Sequence, residues 1–177
     1  MRALLLAVAP QVARAARRVL GRSHPDVEDV GQQALAALVE RLPLFRGESS
    51  VAHFAERIAV YRALTARRNA GVRRRFAAEL LPPDIVGADT DAAVSPFAGA
   101  VEQARRALLL EALDALPTAQ AEALVLHFLF DHTVAEIAAM TGAPDETVRS
   151  RLRLGKQALR MKIERDVRLG ALREEII

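Results

Sequence analysis

The chain has 177 residues, a formal net charge of +3, no cysteine and only 4% aromatic residues. Without cysteine it forms neither disulfides nor thiolate metal sites, and its supply of alanine, leucine and arginine favours helices over sheets, so an all-α protein is expected. The longest apolar run near the start, Ala3 to Ala9, is too short to span a bilayer and runs into Arg14, Arg17 and Arg18 rather than a cleavage site, which implies a cytoplasmic protein.

Three helices are predicted in the first part. The first carries an apolar stripe of Val8, Val12 and Val19. The second, from about Pro25 to Leu42, turns Val30, Ala34, Leu38 and Leu42 to one side and Asp29, Gln33, Ala36 and Glu40 to the other. A loop from Pro43 to Ser50 leads into the third, where Phe54, Ile58, Tyr61 and Leu64 form the inner stripe with Arg57 and Arg62 beside it. From Leu80 to Gly99 the periodicity lapses into Pro82-Pro83, Gly87, scattered acids and Ser95-Pro96, the composition of a linker. Charge is segregated in the same place. Arg57 to Arg75 holds seven arginines and no acid, whereas Phe76 to Ala104 holds five acids and no base, a pattern suited to a polyanion-binding surface followed by an acidic tether.

Helical periodicity resumes from about Val101 to Leu116, and Pro117-Thr118 punctuates a further helix, Ala119 to Phe130. Thr133 to Leu159 then reads as helix, tight turn at Gly142-Ala143-Pro144, and helix. Thr133 and Glu136 have capping-box spacing, and Ile137 and Met140 supply the inward stripe. The last helix places Val148, Leu152, Gly155 and Leu159 on one face and Glu146, Ser150, Arg153 and Gln157 on the other, with Arg149 alongside. One face docks while the other is free to read a ligand. A polar helix with arginines behind a sharp turn suits the DNA major groove, although two short helices around a glycine also occur in bundles of other function. The expected organisation is two small helical domains, 1–76 and 101–168, joined by an acidic flexible linker, 77–100, with an extension at 169–177.

Three blocks in this order carry a resemblance: Asp26-Val27-Glu28-Asp29-Val30-Gly31-Gln32-Gln33; Leu42 to Ser50 with Arg57-Ile58-Ala59; and Leu116-Pro117 through Glu136-Ile137-Ala138 to Thr147-Val148-Arg149-Ser150-Arg151-Leu152. Together they resemble the extracytoplasmic-function group of bacterial RNA polymerase sigma factors, which keep regions 2 and 4. The resemblance implies a three- or four-helix region 2 bundle and a region 4 helix-turn-helix. It also implies core RNA polymerase (β′ clamp and β flap) and promoter DNA as partners, with an anti-sigma factor as a further one. It assigns Asp29, Gln32, Gln33, Ala36 and Glu40 to the polymerase. Phe45, Arg46, Ser49, Ser50, Arg57, Arg62, Arg67 and Arg68 fall to the minus-10 element, and Thr147, Arg149, Ser150, Arg151, Arg153 and Lys156 to the minus-35 element, with Arg151 mainly flanking. Gln33, Leu35, Val39, Phe54 and Tyr61 depart from the usual pattern, which leaves a second reading open: a sigma-like regulator or adaptor that does not support promoter melting.

An enzyme is not expected. There is no glycine-rich phosphate loop and no His-Glu-x-x-His motif, and no catalytic residue, cofactor or small-molecule substrate is assigned. His127 and His132, with Asp131 beside them, straddle a helix end and lack a further partner at suitable spacing, so no metal is assigned to them either.

Overall fold

The computed structural model describes residues 1–22, 24–80 and 108–165. The helices are α1 (Arg2–Leu20), α2 (Val27–Arg41), α3 (Val51–Leu80), α4 (residues 108–114), α5 (Thr118–Leu124), α6 (Val134–Thr141) and α7 (Asp145–Arg165); no strand occurs among the described residues. Helix α3 runs past the domain boundary expected at 76. The linker residues 81–100, residues 101–107 of the following helix and the extension at 169–177 lie outside the described residues.

Helices α1, α2 and α3 pack on one another as the first unit. Val8, Val12, Ala15, Ala16 and Val19 of α1 meet Val30, Ala34 and Leu38 of α2 and Ala59, Val60, Ala63 and Leu64 of α3, all buried. The alanines let the helices approach closely while the branched residues fill the space between. Pro10 lies inside α1 and removes one helical donor, but it sits on the exposed side, where water can serve the carbonyl it leaves unpaired. Glu28 and Asp29 in the first turn of α2 and Arg41 in its last both complement the helix dipole.

The inner stripe of α3 is rotated from the one expected. Ile58 and Leu64 are buried, but Tyr61 is 40% exposed, and Ala55, Ala59, Val60 and Ala63 face the core in its place. Two partners crowd α3 rather than one, so small residues fit where the sequence pattern favours a large aromatic.

In the second unit α5 continues as five π-helical residues, Val125–Leu129, and packs against α7. The expected capping box forms. Thr133 Oγ1 accepts from the Glu136 amide at 3.2 Å, and the Glu136 carboxylate accepts from the Thr133 amide at 2.8 Å. Gly142, at φ 62°, closes α6 in the left-handed conformation that glycine adopts without penalty, and its turn aims α7 across α5. Val148, Leu152, Gly155 and Leu159 are the buried face of α7, as its periodicity predicts. Gly155 marks the closest approach: a Cβ there would lie 2.9 Å from Leu124 Cδ1 and 3.4 Å from Gln120 Cβ.

The two units are packed together. Helix α3 contacts α5, α6 and the π-helical segment, and a single buried apolar cluster includes residues of both units, among them Leu64, Leu116, Leu126 and Met140. Two mutations check this packing. Leu126→Ala, which empties a fully buried position, is expected to cost about 2–5 kcal/mol by denaturant unfolding. Gly155→Val, which forces α7 off α5, is expected to cost about 1–3 kcal/mol despite the gain in side chain.

Candidate nucleic-acid interface

The arginine row of α3 lies at the seam between the units. Arg57 Nε donates to Glu122 Oε1 at 3.0 Å and its Nη1 donates to the Met140 carbonyl at 3.1 Å. Ten residues on, Arg67 grips Asp114 with both arms of its fork, Nε to Oδ1 at 3.2 Å and Nη2 to Oδ2 at 3.0 Å. Arg68 donates to Thr118 Oγ1 and, at 2.6 Å, to the Leu116 carbonyl. Arg57, Arg67 and Arg68, expected on a melted DNA strand, are therefore held by carboxylates and carbonyls of the second unit. A guanidinium satisfies carboxylate and phosphate with the same planar donors, so the sequence pattern that attracts one attracts the other.

Beside the seam is a shallow groove lined by Arg41, Arg57, Ile58, Tyr61 and Arg62. Three cations around a half-exposed ring have the make-up of a single-strand platform, where bases stack and phosphates are neutralised. Arg62 was expected there. Arg41 and Tyr61 were not: one closes the second helix and the other fits an inner stripe, and only the rotation of α3 brings them side by side.

The loop from Phe45 to Ser50 has mixed duties. Phe45 packs its ring 5.1 Å from that of Phe54, which itself rests on the core, so Phe45 is half-buried. The side chain of Arg46 is 84% exposed, with Glu48 3.9 Å away. Ser50 Oγ accepts from the His53 amide at 3.0 Å, the bond of a helix N-cap, so its side chain is committed to starting α3. Ser49 donates weakly, at 3.4 Å, to the Ser50 carbonyl.

On α2, Asp29, Gln32, Gln33, Ala36 and Glu40 are all exposed and make one outward face, with Gln33 donating to Asp29 at 2.6 Å. On α7, Arg149, Arg153 and Lys156 are exposed at one-turn spacing, with Thr147, Ser150 and Arg151 half-buried beside them. Arg149 lies 3.8 Å from Glu146, an exposed pair that gives little energy but keeps the guanidinium near the start of the helix. Lys156 Nζ sits over the Phe128 ring, 5.0 Å from its centroid.

One cluster at the seam was not anticipated as a unit. His132 is buried, and its Nε2 donates to Glu56 Oε2 at 3.2 Å, an oxygen that also accepts from Gln11 Nε2 at 3.0 Å. The His53 ring meets the His132 ring edge-on at 4.9 Å. Glu136 completes the group. Its carboxyl is held below the usual carboxylate range by the Thr133 amide, then by the Thr133 hydroxyl and, to a smaller extent, by His132 and His53.

Comparison with known proteins agrees with this layout. Residues 4–73 match Sigma-70 region 2, and residues 106–159 match Sigma-70, region 4. The proteins described as ECF RNA polymerase sigma factor SigD from Mycobacterium bovis and Mycobacterium tuberculosis are 31% identical over 154 residues, covering 84% of this chain and 70% of theirs. In fold, the chain is similar to the sigma factor RpoE of Bartonella quintana, solved with the anti-sigma factor NepR, at a TM-score of 0.51 and 20% identity over 93% of this chain and 97% of that one. No helix among the described residues is long and apolar enough to cross a membrane. With both regions present in order and relatives matched across most of their length, the chain belongs to the extracytoplasmic-function group of RNA polymerase sigma factors, the alternative sigma subunits that direct core polymerase to promoters.

Proposed function

We propose that the packed arrangement is the resting form of this sigma factor, acting in the cytoplasm without catalysis of its own, and that polymerase and promoter together draw its two units apart. The observation that carries this reading is the pairing of Arg57, Arg67 and Arg68 with Glu122, Asp114, Thr118 and main-chain carbonyls of the second unit. Those guanidinium groups cannot hold a DNA strand while they hold these partners. Opening exchanges carboxylate for phosphate, so part of the cost of separation returns as promoter binding.

In the opened form, the groove of Arg41, Tyr61 and Arg62 joins the released Arg57, Arg67 and Arg68 in tracking the melted minus-10 strand. Arg46 and Ser49 grip the backbone, and Phe45 leaves Phe54 to stack on a base. Ser50 contributes by capping α3. Helix α7 enters the major groove of the minus-35 element, with Arg149, Ser150 and Arg153 on base edges and Thr147, Arg151 and Lys156 toward phosphates. The outward face of α2, from Asp29 to Glu40, meets the β′ clamp while the second unit meets the β flap. An anti-sigma protein is a further partner, as one is for the Bartonella quintana relative.

Two measurements test this. Asp114→Asn, which deprives Arg67 of its charged partner, is expected to raise the affinity of the free chain for a single-stranded minus-10 oligonucleotide about fivefold or more by fluorescence anisotropy; unchanged affinity would count against a closed resting form. Arg149→Ala and Arg153→Ala are each expected to relax minus-35 preference by about 1–3 kcal/mol in a promoter-library selection with core polymerase. Uniform weakening on all sequences would reassign them to phosphate contacts.

A further inference from the structure

The polar groups around His132 at the seam are neither proposed promoter contacts nor partners of the proposed promoter-binding arginines. His53 comes from α3 of the first unit, and His132 and Glu136 come from the start of α6 in the second; each offers a donor atom, and the three lie within 4.8 Å of one another. Their chemistry is that of a ligand set. A carboxylate only accepts, so the bond to Glu56 places the proton of a neutral His132 on Nε2 and leaves the Nδ1 lone pair directed into the cluster. There Nδ1 lies 3.9 Å from Glu136 Oε2, too far for a hydrogen bond.

The surroundings hold this set in place. A metal-binding histidine characteristically gives its other ring N–H to a carboxylate, which fixes tautomer and orientation. Glu56 does this for His132, and Gln11 from α1 in turn steadies Glu56. The loop carrying His132 is fixed two ways: His127 Nδ1 donates to the His132 carbonyl at 2.7 Å, and the His132 amide donates to the Leu126 carbonyl at 3.1 Å. Glu136 keeps capacity to spare, because a carboxylate has about four lone-pair sites and the capping box engages one oxygen. His53 is half-buried with its ring against that of His132, and binding would require the donors to draw together from within 4.8 Å to a tetrahedral shell with bonds of roughly 2.0–2.2 Å.

We propose that His53, His132 and Glu136 form a binding site for a divalent cation of the zinc class that bridges the two units of the closed form. Two imidazoles and one carboxylate suit Zn²⁺ over Mg²⁺ or Ca²⁺, which prefer oxygen shells. The site depends on the packed arrangement and not on the reading of the promoter contacts. It also needs the fold to exist at all, since its members are separated by 79 and 83 positions in the chain.

The test is a titration of the full, metal-free chain with Co²⁺, followed by Zn²⁺ in competition, and with cysteine absent no thiolate competes for either ion. One Co²⁺ per chain with the intense visible absorption of a four-coordinate ion, displaced by Zn²⁺, is expected. His53→Ala on one unit and Glu136→Gln on the other are each expected to weaken Co²⁺ binding roughly tenfold or more. Glutamine is an accepted capping-box residue, so Glu136→Gln removes the ligand charge while keeping the start of α6 intact, which circular dichroism verifies. Absence of stoichiometric binding by the native chain would overturn the proposal, as would equal affinity in the native chain and both variants.

Discussion

A guanidinium taken out of water is costly unless a counter-charge and fitted acceptors go with it, and this requirement shapes the whole packed form. Arg67 and Asp114 are both largely buried, with side chains 13% and 19% exposed, and they meet in the two-armed geometry in which such a pair is most stable. Arg57 meets Glu122 through one arm and the Met140 carbonyl through another, with Glu122 more deeply enclosed than its partner. Neither acid belongs to the unit that supplies the arginine. Each unit therefore carries charges that only the other, or a solvent or polyanion substitute, can satisfy. The apolar contacts around Leu64, Leu126 and Met140 give the seam adhesion, but the ion pairs set its register.

A seam of this kind is reversible in a way that an apolar core is not. When the units separate, arginines and acids regain water, so the large cost of leaving one buried charge alone is never incurred. Helix α7, by contrast, is held by Val148, Leu152 and Leu159 inside its own unit and presents Arg149, Arg153 and Lys156 outward in the closed form. On the proposed assignment of the DNA contacts, the minus-35 face would be exposed in this form while Arg57, Arg67 and Arg68 are engaged, which would separate the two halves of promoter recognition in a single chain.

Much of this was legible in the chain before any coordinates. The faces of α2 and α7, the Thr133–Glu136 cap and the turn at Gly142 follow from local periodicity and turn chemistry, which act over one or two helical turns. What escaped depends on packing between segments far apart. Tyr61 fits an inner stripe by spacing, yet α3 has neighbours on two sides and turns it outward beside Arg41. Arg57 and Arg67 signal an anion but cannot say whether it is a phosphate or a carboxylate 47 to 65 residues away. His127, Asp131 and His132 looked incomplete in sequence because only His132 of that trio belongs to the cluster, whose other donors are Glu136, one turn on, and His53, which arrives from the other unit.

The position of that cluster would give it leverage over the proposed strand contacts, because both draw on the same helix. His53 and Glu56 lie within one turn of Arg57, and the first two contact the second unit through His132 while the third contacts it through Glu122. A ligand that needs both units closed and a ligand that needs them apart compete even when they touch no common atom, since each shifts the equilibrium by its difference in affinity for the two forms. The coupling is reciprocal by thermodynamic necessity. If both proposals hold, a cation held across the seam would weaken the melted strand's hold by the same factor by which that strand would weaken the cation's, and α3, carrying both sets of contacts, would be the element through which that antagonism passes.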